Sequence, residues 1–156
     1  MIMDSRTEFA DAVALNTGVA GTYLIGSQID LTAGLAIGGN TIAYPGNSDG
    51  LYLVVTVDTA ATSGGAATLQ IKLASDDTAA ISTTTSTVHY TSDPIAVANL
   101  TAGAVVCVVE LPRGNYERYL GILQVTGTAA FTAGKLNAFL SMDPRTFTPI
   151  AAPDAI

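Results

Sequence analysis

Tryptophan is absent from this 156-residue chain, cysteine and histidine occur once each, and lysine plus arginine number only 6. Each scarcity excludes something. The single cysteine, Cys107, rules out an intramolecular disulfide and any zinc site built on several thiolates. Six basic residues against 13 acidic ones, a net charge of −7, argue against nucleic acid as a partner, because displacing counterions takes several Lys or Arg on one face. A basic protein partner stays compatible with this balance. No run approaches the roughly 18 apolar residues of a membrane-spanning helix, so no membrane partner is expected. The opening MIMDSRTEFADAVAL lacks a basic stretch followed by an apolar run. It does not read as a signal peptide, and the expected place of folding is a cytoplasm. The glycosylation sequon at 99–101 is then accidental.

What remains is neutral. Charged residues make up 12% of the chain and apolar ones 49%, the charged share being about half the usual value. Twenty-one threonines, with much alanine and glycine, fill the difference. Such an exterior suits a protein packed against other proteins, and equally a small β domain with a bland surface. The length fits one domain that buries roughly 70% of its unfolded surface.

Period-2 alternation dominates the chain. In ATLQIKL (67–73), Leu69, Ile71 and Leu73 alternate with Thr68, Gln70 and Lys72, the mark of a half-buried strand. LYLVVTVD (51–58) is apolar on both faces, which predicts cover on both sides. VVCVVEL (105–111) sets Val105, Cys107, Val109 and Leu111 on one face. KLNAFLSM (135–142) sets Leu136, Ala138, Leu140 and Met142 opposite Lys135, Asn137 and Ser141. With TYLI (22–25), NTIAY (40–44), VHYT (88–91) and PIAV (94–97), separated by Gly, Pro, Asn and Asp turns, about eight strands are expected, and RYLGILQV (118–125) also reads as a strand where it flanks the patch 112–118. The predicted fold is an all-β antiparallel sandwich, jelly-roll-like. Its domain is 1–143, with an irregular Gly- and Asn-rich region at 16–50 and a long polar loop at 74–87. Residues 144–156 hold prolines and no alternation, so an extended C-terminal arm is expected, with Phe147 and Ile150 docking on the chain's own domain or on a neighbour.

Candidate chemistry is sparse. His89 has no G-x-S-x-G serine elbow to serve, and it reads as a satisfied strand histidine. Cys107 inside VVCVV behaves as a small buried hydrophobe. Asp76 and Asp77 are adjacent carboxylates without calcium-loop spacing, so turn capping is the reading. No catalytic, cofactor or metal residue is assigned, and no cofactor is expected. The patch PRGNYER (112–118) reads as a hairpin tip on which Arg113, Tyr116 and Arg118 either grip a partner or face solvent.

The opening MIMDSRTEFADA, the stretch LYLVVTVDTAATSGGAATLQIKLASDDTAA, and above all LTAGAVVCVVELPRGNYERYLGILQVTGTAAFTAGKLNAFLSMD resemble the jelly-roll capsid cement, or decoration, proteins of tailed bacteriophages. The resemblance spans about two-thirds of the chain and transfers no catalytic residue. It implies a non-enzymatic virion protein on the outer capsid surface, partnered by the major capsid protein and by itself as a homodimer or homotrimer. A carbohydrate-binding sandwich of a phage tail or fibre is the second reading, disfavoured because sugar sites use aromatic platforms and the tyrosines here are scattered. An enzyme ranks third.

Overall fold

The computed structural model describes residues 5–33, 35–37, 40–42, 45 and 50–144. Its strands are β1 (Glu8–Ala14), β2 (Gly21–Asp30), β3 (Leu35–Ile37), β4 (Asn40–Ile42), β5 (Tyr52–Ser63), β6 (Thr68–Asp76), β7 (Thr87–Thr91), β8 (Ile95–Ala96), β9 (Val105–Glu110), β10 (Tyr119–Gly127) and β11 (Phe131–Ser141). One antiparallel sheet runs β1-β11-β5-β9 and the second β2-β10-β6-β7, with β8 alongside the other half of β6. β3 and β4 form a separate ribbon. A four-stranded and a five-stranded sheet in this Greek-key order make a jelly roll.

Alternation places the core as expected. Leu69, Ile71 and Leu73 of β6 and Leu120 and Ile122 of β10 face Leu53, Val55 and Val57 of β5 and Leu136, Ala138 and Leu140 of β11. Nearly all are fully buried, each such side chain contributing about 1.5–3 kcal/mol. The reverse face of β5 is covered too: Val54, opposite Phe139, has no exposed surface. Met142 departs from the expectation. The ladder ends at Ser141, and Met142 beyond it is exposed.

In the N-terminal fifth β1 was not expected as a strand, and of β2 only the stretch TYLI (22–25) was. β2 occupies much of the region expected to be irregular. Its pairing with β10 jumps from Ile29↔Leu120 to Ile25↔Ile122, so a bulge over Gly26, Ser27 and Gln28 breaks the alternation. Gly26 has φ +69°, and a Cβ there would collide with the Phe9 carbonyl of β1; only glycine fits. β1 is irregular as well. Its residue Ala12 has positive φ, and its N–H donates to Asn137 Oδ1 at 2.6 Å instead of joining the ladder.

β7 and β8 are one edge strand interrupted at Ser92–Pro94 in sequence. Pro94 has no N–H for the ladder, and Ser92 substitutes: its Oγ accepts from Ile71 N–H at 2.9 Å, and its own N–H donates to the Ile71 carbonyl at 2.9 Å. On the outer face of that sheet, Ile81 from the 77–86 loop sits on Gly121, where a Cβ would lie 2.6 Å from Ile81 Cδ1. Ala74, Leu123, Leu24 and Tyr119 complete this satellite cluster. The loop is made of turns, not helix.

Candidate protein interface

Patch 112–118 is not a hairpin tip. β9 and β10 are indeed strands, but they lie in different sheets, so the patch is a crossover closing one end of the sandwich. Periodicity identifies strands without saying which sheet they join, and here that distinction decides the geometry. The crossover is tied to its own domain through Pro112, Tyr116, Glu117 and Arg118. Tyr116 is half-buried, its ring stacked on His89 with centroids 3.9 Å apart and planes 12° from parallel. Its hydroxyl donates to the Pro112 carbonyl at 2.7 Å, and burial pushes the phenol up to about 12. Glu117 N–H donates to Ser75 Oγ at 3.1 Å, and its carboxylate accepts from Thr87 Oγ1 at 2.7 Å.

Arg118 forms a two-pronged pair with Asp30 at the end of β2, Nε to Oδ1 at 3.2 Å and Nη2 to Oδ2 at 3.0 Å. Its guanidinium carbon also lies 4.9 Å from the Tyr119 ring centroid, a cation–π contact. The Arg118 hydrogen bonds, aided by Thr32, hold the Asp30 carboxyl well below the usual carboxylate range. The arginine side chain is still 51% exposed, so it can meet a partner only by sharing or surrendering Asp30. Arg113 is exposed at the crossover's tip. The structure thus brings Arg113, Tyr116 and Arg118 to one end. Phe147 and Ile150, the other expected interface residues, lie outside the described residues, as does the expected arm from residue 145 onward.

His89 does find a serine. Its Nε2 lies 2.7 Å from Ser75 Oγ, a contact that the sequence concealed because a register shift between β6 and β7 sets it. Ser75 has no exposed surface, so a substrate cannot reach its oxygen. Ser75 Oγ also accepts from Glu117 N–H, and which partner donates in the Ser75–His89 bond follows the tautomer of the ring. Burial lowers the His89 pKa against the opposing pull of Glu117. Cys107 is buried against the core, and desolvation pushes its thiol up to about 12, far from a reactive thiolate.

Asp76 caps the 77–86 loop as expected of a turn aspartate. Its carboxylate accepts from Ser82 N–H at 2.9 Å and from Thr78 N–H at 3.2 Å, and these bonds lower its pKa. Among the described residues no group of three or more His, Cys, Asp or Glu side chains gathers at a metal-binding spacing. A shallow groove of about 350 Å³ runs along Arg6, Glu8, Ser27, Gln28 and Asp30, open to solvent and without convergent chemistry. Every described aromatic side chain is buried or half-buried.

Comparison with protein-family models matches the Bbp16 model, that of a phage-related family, over residues 9–140. The match reaches from β1 to β11 and so spans both sheets. No curated protein matches the chain.

Proposed function

Because the chain belongs to the phage-related Bbp16 family, we propose that it is a structural virion protein that binds the outer surface of a tailed-phage capsid and cements the lattice of the major capsid protein. The observation that carries this reading is the family match across the whole jelly roll. The end closed by the crossover is the one offered to the capsid. There Arg113 and Arg118 stand among Asp30, Asp77, Glu110 and Glu117, a mixed-charge surface suited to ion pairs with a partner.

Purified protein mixed with undecorated capsids should coat them in a regular array visible by electron microscopy. Occupancy should fall as salt rises, since exposed ion pairs are screened. Arg113→Ala and Arg118→Ala together should weaken occupancy by about tenfold or more. Bare capsids at saturating protein would sink the reading.

A further inference from the structure

The crossover 112–118 lies outside both ladders, between the end of β9 and the start of β10, so side chains do most of the work of seating it. Three contacts converge on one point. The Tyr116 ring lies flat on His89, centroids 3.9 Å apart. His89 Nε2 meets Ser75 Oγ at 2.7 Å, and the same oxygen accepts from Glu117 N–H at 3.1 Å. The Glu117 carboxylate accepts from Thr87 Oγ1, two residues before His89. The backbone sets this position: β7 pairs Val88 with Ala74 and Tyr90 with Leu73, which leaves His89 in the irregularity between them. His89 is thus the pin that joins β6, β7 and the crossover.

The surroundings of the ring make its charge matter. Besides Ser75, β6 carries Lys72 and Asp76, but both alternate onto the outer face, where Asp76 caps the loop that also holds Asp77. On β7 the flanking Tyr90 packs on the main core, and burial holds both Tyr90 and Tyr116 protonated throughout acid. On the crossover Arg118 is turned to Asp30, and Arg113 is exposed at the tip. Among the described residues Glu117 is therefore the charged group facing the ring, and it lies on the solvent side with Thr87. A neutral imidazole suits a seat between a phenol ring and a buried hydroxyl. An imidazolium does not, since burial opposes its charge and the pull of Glu117 is outward.

We propose that His89 is a pH-operated latch on the crossover: neutral, it pins Tyr116 against β6 and β7, and protonated, it leaves Ser75 and lets the crossover lift while both sheets stay folded. A proton that binds the open form more tightly than the closed one shifts the balance toward opening by that difference. Lifting moves Arg113 and Tyr116 relative to Arg118, which Asp30 still holds. Resting on the capsid reading above, the same step weakens the grip of this end on its partner in acid.

His89 is the chain's one histidine, so its imidazole signals in nuclear magnetic resonance titrate without overlap. Between pH 7.5 and 5.0 the Tyr116 ring signals should move in step with them. The Glu117 amide should lose at least about tenfold in protection from exchange, corrected for its intrinsic rate, while the Val55 and Leu123 amides of the central strands keep theirs. His89→Phe keeps a ring for Tyr116 but takes no proton, so its Glu117 amide should be equally protected at both pH values. A ring that titrates while Tyr116 and Glu117 stay unchanged overturns the latch. So does protection lost everywhere at once, or the same acid loss at Glu117 in His89→Phe; should that variant not fold, the first two readings decide. Coated capsids taken from pH 7.5 to 5.0 should shed the native protein and keep His89→Phe. Equal retention of both overturns the link to binding, whereas capsids bare at pH 7.5 overturn the capsid role alone.

Discussion

Among individual residues, the sequence read best where side-chain chemistry alone decided the outcome. Cys107 in a valine run is buried, and the lone His89 is a hydrogen-bonded strand histidine. It read worst where a partner came from far along the chain: nothing near His89 announces Ser75 or Tyr116, and nothing near Gln124 announces Asn16. Gln124 clamps that residue with no exposed surface of its own. Gln124→Leu should cost about 1–3 kcal/mol by stranding the Asn16 groups, read as a lower urea midpoint at constant slope. His89 gives a pH signature. Its pKa is lowered on folding, so the folded state binds fewer protons than the unfolded chain. The stability it supports is complete above the ordinary histidine value near 6.5 and drains away as pH falls through that value and below. Asp30 and Asp76, also lowered, lose theirs only further down, through the carboxylate range. Urea titrations at pH 7.5 and 5.0 should show a loss in the native chain and a smaller one in His89→Phe, which keeps a ring for Tyr116 to stack on. Equal losses would remove His89 as the cause. At alkaline pH the sign reverses, since Cys107 and Tyr116 are held protonated on folding.

At the scale of elements, strands with clean alternation were legible and bulged ones were not. β6, β9, β10 and β11 fall within a few residues of their expected positions. β1 escaped notice because its residues follow no strict period around Ala12, and β2 was read only over TYLI (22–25) because Gly26, Ser27 and Gln28 interrupt its apolar face. Yet those interruptions hold the two strands together, since Gly26 lets β2 press against the Phe9 carbonyl. Gly26→Ala should therefore destabilise by at least about 2 kcal/mol, combining positive-φ strain with a backbone collision. Calorimetry would register it as a lowered midpoint, and an unchanged midpoint would mean the bulge tolerates a side chain. The 77–86 loop makes a second test. Ile81→Ala should cost about 2–5 kcal/mol if its side chain anchors the loop to the sheet, with faster hydrogen exchange at Thr78 and Ser82. The crossover 112–118 carries the main lesson at this scale: its residues were singled out correctly and its geometry was not, because two strands flanking a turn need not pair with each other.

For the whole molecule, composition announced an acidic β domain poor in charge, and alternation plus turns announced a sandwich without its strand order. Which loops share an end was likewise invisible in the sequence, since they are scattered along the chain from residue 15 to residue 130. Another consequence follows from the strand order itself. Apart from the run β6-β7-β8, each strand of the sandwich is followed along the chain by one in the opposite sheet, so hardly any ladder can close by local search. Sheets of this kind fold slowly, in about milliseconds to seconds, because distant segments must meet before any contact rewards them. The same stitching acts in reverse. No hairpin at either end of the chain can peel away alone, so opening must proceed through a large collective event with a high barrier. The Cys107 thiol, sealed on β9, is a natural reporter: a thiol-labelling reagent should modify it only at the rate of global unfolding, unchanged by further reagent once labelling outruns reclosing. Under the proposed capsid role, slow release from the folded state would matter more than the depth of its free-energy well.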